Sequence, residues 1–347
     1  MKKYASLACA SILFLAVHPA HGQIEPDVGT GVESPSFQRV GQSGFQFLKL
    51  PTSARQAGIG GILSSAGYAD AATVFTNPAS TVNVENFNVA ISHVQWFADI
   101  AYQSAAALKQ FEGIGTVGVH VFYLDYGDMP RTENRPILDQ GVPTGRSEVL
   151  TDLGTVSAHN LVAGVSYARR ITDRLYFGAN AKYISETLDD ANVGAWAVDV
   201  GTVFYTGLRS LRLTMVGKNI GPDTQIAQFD ERIGYEPANV RMPVNFSIGA
   251  AYDVIEAGEG SPHAWTFAGE FVHPNDGPEK VNTGTEYVFR DLLALRAGYR
   301  FNYDEEGITL GAGLKVTTSA GGIAVNYAWW DFGVLGYTHM FSLAFGR

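Results

Sequence analysis

The sequence is short of charge. Asp, Glu, Lys and Arg make up 17% of its 347 residues, against about 25% in an ordinary soluble chain. Long apolar runs are missing too: past the N-terminus no stretch reaches the roughly 20 apolar residues of a membrane-spanning helix. Cysteine is nearly absent, Cys9 being the one instance. The first two absences exclude a typical soluble surface and a helical membrane protein. What is present excludes disorder: 46% of residues are hydrophobic and 12% aromatic, too apolar a content for an unfolded chain. A transmembrane β-barrel fits, because it spreads its apolar residues over every second position.

The N-terminus reads as a leader. Lys2 and Lys3 precede an apolar run from Ala5 to Val17, and Ala20-His21-Gly22 is a small-x-small site. A signal peptide over 1–22 is expected, cleaved before Gln23. The run is too short to span a membrane. Cys9 lies inside it with eight further apolar-run residues beyond, which argues against a lipoprotein signal. The remaining chain then has no cysteine, so disulfides, thiolate chemistry and Cys-based metal sites are excluded. Losing Lys2 and Lys3 takes the net charge from −10 to −12 (−10 − 2). That balance argues against nucleic-acid binding.

From residue 85 the chain divides into short alternating segments separated by Gly, Asp, Asn and Pro. Fourteen strands are expected, at 86–96, 99–109, 115–125, 158–169, 174–185, 194–205, 210–218, 243–253, 264–272, 279–288, 292–302, 307–315, 322–331 and 336–346. The number is even, and most runs suit a tilted spanning strand. Parity is the stronger test. Leu175, Phe177, Ala179, Ala181 and Tyr183 share one row while Lys182 takes the other. Trp196, Val198, Val200 and Phe204 oppose Asp199; Trp265, Phe267 and Phe271 oppose Glu270; Tyr287 and Phe289 oppose Glu286. Leu293, Leu295, Ala297, Tyr299 and Phe301 oppose Arg296 and Arg300. A charge facing lipid at mid-depth costs about 2–4 kcal/mol, which is reason enough for the segregation. A soluble β-sandwich also alternates, but its polar row is rich in Lys and Glu. Here the second row is mainly Gly, Ala, Ser, Asn and Thr, as in a crowded interior with something packed against it. Connections alternate in length, with the long segments 126–157 and 219–242 on one side, the barrel habit of long outer loops and short inner turns. Trp96, Trp196, Trp265, Trp329 and Trp330 fall near expected strand ends, suiting an interfacial girdle.

Residues 23–84 do not read as barrel strands. Asp70 is a suitable N-cap for one or two helical turns over Ala71–Phe75, and Pro78 turns Asn77 away from the helical region. The blocks FLKLPTSARQAGIGG (47–61) and DAATVFTNPAS (70–80) stand here, and HVQWFADIAY (93–102), LVAGVSYARRITDRLYFGANAKYI (161–184) and LLALRAGYRF (292–301) follow in the barrel. In these blocks the chain resembles the PorV/PorQ family of outer-membrane barrels, of the FadL-like class. The resemblance covers nearly all of the chain after the leader.

The resemblance implies an all-β fold: a 14-stranded antiparallel transmembrane β-barrel over 85–347 with a small N-terminal lead-in and plug over 23–84. It also implies location in the bacterial outer membrane, in contact with its lipid. Asn77, Pro78 and Ala79 match a short motif of FadL-class transporters that lies at the plug. PorV-like members bind cargo with a C-terminal secretion domain in type IX secretion, and pass it from the translocon to the cell-surface attachment machinery; PorQ-like members are associated with the same system. The implied function is non-catalytic binding and shuttling of such protein partners. The alternative is FadL-like transport of hydrophobic small molecules. Arg55 has two readings, an anchor of the plug on a lumenal carboxylate such as Glu270 or Glu286, or a solvated periplasmic arginine. Lys182 with Asp199, and Glu286 with Arg296, fall on adjacent inward rows and are expected as lumenal pairs.

Enzyme signatures are missing as well. His93, His120, His159, His263, His273 and His339 show no metal-like spacing, and neither H-E-x-x-H nor G-x-S-x-G occurs. No cofactor is expected. His120 near Thr116 is read as a lumenal polar residue rather than half of a catalytic pair. Asp223, Asp230, Glu231 and Glu236 lack the spacing of a calcium loop and are read as a solvated acidic loop. The segment 126–157 combines Tyr126, Met129, Pro130, Pro136, Ile137 and Leu138 with mixed charge; it is either a docking loop for a protein partner or a disordered one.

Overall fold

The computed structural model describes residues 43–62, 70–151, 153–189, 191–225, 239–256 and 261–347. The expected signal peptide over 1–22 and the lead-in up to residue 42 lie outside the described residues. The strands, in chain order, are β1 Phe87–Gln95, β2 Ala101–Phe111, β3 Gly115–Pro130, β4 Glu133–Asp139, β5 Val142–Leu150, β6 Thr155–Arg170, β7 Leu175–Leu188, β8 Ala191–Tyr205 and β9 Arg212–Ile220. They continue with β10 Thr224–Gln225, β11 Asn239–Val240, β12 Asn245–Ile255, β13 His263–Pro274, β14 Lys280–Phe289, β15 Leu293–Phe301, β16 Ile308–Thr318, β17 Gly321–Asp331 and β18 Tyr337–Gly346.

Fourteen of these form one closed antiparallel barrel, in the order β1, β2, β3, β6, β7, β8, β9, β12, β13, β14, β15, β16, β17 and β18. The seam joins β1 to β18, from Asn88 opposite Gly346 to Gln95 opposite His339. Closure leaves no strand edge for lipid to meet, the condition for a sheet to cross a membrane. Burial alternates along the strands. In β7, Tyr176, Asn180, Lys182 and Ile184 are buried, while Phe177 and Tyr183 are exposed on the outside. A one-residue slip would turn Lys182 into the lipid, so this pattern fixes the register. Val119, 56% exposed on the outer row of β3, tests the assignment. Val119→Arg is expected to lower the unfolding free energy in lipid vesicles by about 2–4 kcal/mol; an unchanged urea midpoint would mean that this row does not face lipid.

The turns at 112–114, 171–174, 206–211, 290–292 and 319–320 share one end of the barrel. The other end carries the pair β10 with β11 and the hairpin of β4 with β5, and by the barrel habit it faces outward. On that side the wall is uneven: β3, β6, β7 and β8 have 16, 16, 14 and 15 residues, against 9 for β1 and 10 for β18. The segment 126–157 is neither a plain loop nor disordered. It prolongs β3 and β6, then continues as β4 paired with β5 from Glu133–Leu150 to Asp139–Val142. Gln140 (φ 47°) and Gly141 (φ 86°) make its tip, and positive φ at both loop residues is the type I′ habit of a two-residue hairpin.

The tryptophans need a correction. Trp196 does lie outside, 64% exposed. Trp330, however, is 3% exposed on the inward row next to outward Trp329, and Trp96 packs against Trp330 and Phe332 at the outer mouth. Neighbouring strand residues point to opposite faces, so Trp329 and Trp330 cannot both serve a lipid girdle.

Candidate functional site: a plugged lumen

The lumen holds described residues that precede β1, 43–62 and 70–84. They descend from the outer mouth, where Ser43 bridges to Arg241, to the inner end, where β1 starts. Three attachments hold them.

The outer attachment is a single turn, Gln46–Lys49. Gly44 N donates to the Arg241 carbonyl at 3.0 Å. Gln46 Nε2 and Lys49 Nζ donate to the Asp276 carboxylate at 2.7 and 2.5 Å. Asp276 stands in the turn between β13 and β14. Burial pushes its carboxyl up, but the hydrogen bonds from Lys49 and Gln46 and the Lys49 charge outweigh it and hold it below the ordinary carboxylate range. A lowered carboxylate contributes stability above its unfolded pKa of about 4 and loses it as pH falls through the folded value. Strong acid therefore loosens this tether.

The middle attachment is one helical turn, α1 Ala54–Gly58, capped by Ser53, whose Oγ accepts from Gln56 N at 3.2 Å. It lies against β16, β17 and β18. Ala54 N donates to Ser342 Oγ at 2.7 Å. Arg55 donates through Nε and Nη2 to the two oxygens of Glu286 at 2.9 and 2.7 Å. Arg296 Nε reaches the same carboxylate at 2.5 Å, and its Nη1 donates to Asn326 Oδ1 at 2.9 Å. Beyond α1 the backbone lies on the wall itself: a Cβ added at Gly298 would fall 2.2 Å from Gly60 N.

The inner attachment is built from two capped turns. Asp70 accepts from Ala72 N at 3.0 Å and starts the turn Ala71–Phe75. Asn77 accepts from Ala79 N at 3.0 Å, donates to the Thr202 carbonyl at 3.1 Å and starts the turn Pro78–Asn83. Pro78 at the first helical position loses no hydrogen bond. Pro78 and Ala79 are buried against β7, where a Cβ at Gly178 would lie 2.4 Å from Ala79 N.

Among the residues singled out in the sequence, Arg55, Glu286 and Arg296 meet in one cluster. Lys182 and Asp199 form another, at 2.7 Å, which Asn219 completes: it accepts from Lys182 at 2.6 Å and its backbone N donates to Asp199 at 2.7 Å. Asn77, Pro78 and Ala79 sit apart at the inner attachment. Glu270 is buried on the inward row of β13, and Arg55 pairs with Glu286 instead. Arg300 pairs with Glu306 and lies over the rings of Tyr303 and Trp330, at 3.7 and 4.6 Å. His120 is buried edge-on to Phe75, ring centroids 5.2 Å apart, and its Nδ1 has no hydrogen-bond partner. Asp223 is exposed; Asp230, Glu231 and Glu236 lie outside the described residues. Among the described residues no group of three or more His, Cys, Asp and Glu is placed to hold a metal ion.

Sequence reasoning missed the aromatic series at the outer mouth. Phe97 meets Phe332 at 5.1 Å, Phe332 meets Trp330 at 5.0 Å, and Trp96 meets Tyr102 at 5.7 Å. Tyr102 meets Phe122 at 5.4 Å, and Phe122 stacks on Phe47 of the plug at 6.0 Å with 19° between planes. The signal was available in parity: Tyr102, Phe122 and Trp330 all fall on inward rows. Below Phe47 lies a small void of about 30 Å³ lined by Phe75, Phe122, Val162, His120 and Lys182 among others. A larger cavity of about 410 Å³ opens toward the inner end. Its floor is Arg55, Glu286 and Arg296, and its walls include Val288, Leu293 and Leu314.

No family model matches the sequence, and no curated protein matches it. Solved structures do match in shape. The toluene transporter TodX of Pseudomonas putida superposes with a TM-score of 0.56 at 11% identity, over 86% of this chain and 99% of that one. The toluene transporter TbuX of Ralstonia pickettii gives 0.53 at 13% identity, over 86% and 97%. The monoaromatic hydrocarbon channel CymD gives 0.54 at 12% identity, over 86% and 98%. The chain thus shares the fold of these channels, and its own barrel is closed and antiparallel.

Proposed function

We propose that this is a non-catalytic outer-membrane channel that admits hydrophobic small molecules at its outer mouth and passes them toward the periplasm. The observation that carries this reading is the aromatic series from Phe97 to Phe47, a continuous run of packed rings leading from the mouth into the lumen. Few-contact apolar lining of this kind suits ligands held by burial rather than by hydrogen bonds. The fold shared with toluene and monoaromatic hydrocarbon channels supports it. Cells or vesicles containing the protein are expected to take up labelled toluene faster than matched controls lacking it. Equal uptake in both would refute the channel.

A second reading has one observation of its own. The hairpin of β4 and β5 stands beyond the barrel with Ile137, Leu138, Val142 and Val149 exposed, a surface suited to a protein partner. It supports a role in type IX secretion, binding cargo between the translocon and the attachment machinery, of the kind that the PorV/PorQ resemblance implies. Recovery of proteins bearing the C-terminal secretion domain with the intact chain, lost on shortening residues 133–150, would favour this reading over transport.

A further inference from the structure

We infer that Phe47 of the plug occupies, within the resting protein, the seat of a single-ring aromatic ligand. This deepens the channel reading and rests on it. A phenylalanine side chain is toluene attached to a backbone, so its surroundings report what a free ring would meet. Phe47 is 6% exposed and lies nearly parallel to Phe122, ring centroids 6.0 Å apart. Tyr102, Val162 and Ile184 belong to the same buried cluster. The adjoining void leads on toward Phe75 and His120, where Lys182, Asp199 and Lys218 also line it, so the apolar seat ends at Phe47. The seat is also the end of the aromatic series, so a ring moving inward from the mouth arrives where Phe47 already sits.

The occupant is removable. Phe47 belongs to a single turn of four residues, Gln46–Lys49, too short to hold itself together. Phe45 before it takes a left-handed φ of 51°, a conformation with no stabilising side-chain cap. The side-chain hold of this turn on the wall is Asp276, which receives both Gln46 and Lys49, and the backbone hold is Gly44 on the Arg241 carbonyl, three residues before Phe47. The deeper anchors, Arg55 on Glu286 and Asn77 on the Thr202 carbonyl, belong to other turns. Phe47 can therefore leave its seat while the rest of the plug stays docked. In the resting protein an incoming ring competes with Phe47, and its apparent affinity is reduced by the fraction of time that the seat is vacant.

The test uses fluorobenzene as the probe and fluorine NMR of the full-length protein in lipid nanodiscs. Phe47→Ala should raise bound fluorobenzene by at least about tenfold over wild type, because the competing ring is gone. Asp276→Asn keeps Phe47 but weakens its tether, and should raise binding by a smaller factor. A Leu48→Cys, Cys9→Ser variant gives a second readout: maleimide labelling should quicken on adding fluorobenzene and not on adding hexadecane. No gain in Phe47→Ala with the barrel still heat-modifiable would overturn the seat. So would labelling that responds equally to both probes. Protein-dependent toluene uptake that ignores Phe47 would remove this inference and leave the channel standing, whereas absence of uptake counts against the channel itself.

Discussion

Replacing Glu286 with Gln is expected to release the middle of the plug while the barrel stays closed. Arg55, Glu286 and Arg296 are 8%, 6% and 7% exposed, so each charge depends on the others for its solvation. The Glu286 carboxylate takes two hydrogen bonds from Arg55 and one from Arg296. Without its charge, two guanidinium groups remain buried side by side, and breaking such a buried cluster costs about 3–5 kcal/mol. The penalty falls between plug and wall, because Arg55 belongs to one and Arg296 to the other. Barrel closure rests on backbone pairing from β1 round to β18, which the substitution does not touch. Planar-bilayer recordings should therefore show a steady leak in the variant, with heat modifiability retained. Arg55→Met should leak less, since Glu286 keeps Arg296 as its partner. A variant as tight as wild type would show that the plug does not depend on this cluster.

Valine at Gly298 or Gly178 is expected to evict part of the plug outright. A Cβ at Gly298 would approach Gly60 N to 2.2 Å, and one at Gly178 would approach Ala79 N to 2.4 Å. Both contacts are with backbone, which cannot swing aside as a flexible side chain does. Overpacking of this kind costs typically about 1–3 kcal/mol where neighbours can shift, and more where they cannot. Gly298→Val should free residues near Gly60, and Gly178→Val those near Ala79, each becoming open to protease in intact vesicles. Gly269→Val is the control, since a Cβ there meets nothing nearer than the Asn282 carbonyl at 3.8 Å. Equal protection in all three variants would contradict the tight docking of plug on glycine.

These glycines explain why the barrel was legible. The inward rows read as Gly, Ala, Ser, Asn and Thr, and the crowding which that implied is the plug backbone lying on Gly178, Gly284 and Gly298. Strand positions followed from parity, because lipid on one face and packed chain on the other leave little freedom at any residue. The plug was less legible. Its Asp70 cap is local and visible in the sequence, whereas α1 is fixed by partners such as Ser342, 288 residues from Ala54. Asp276 gave no signal, being one acidic turn residue among many until Gln46 and Lys49 reach it. The hairpin of β4 and β5 was readable in principle from Gln140-Gly141, a turn signal passed over within a long polar segment.

The uneven wall has a consequence for how a solute arrives. Strands β3, β6, β7 and β8 exceed β1 and β18 by four to seven residues, or roughly 13–23 Å along an extended chain. The aromatic mouth, with Trp96, Phe97 and Phe332, sits beside β1, β17 and β18, on the low side. The tall strands thus stand across the barrel from the aromatic mouth as a backstop. On the channel reading proposed above, a hydrophobic molecule spreading over the cell surface would meet the low side of the wall first, by a two-dimensional search.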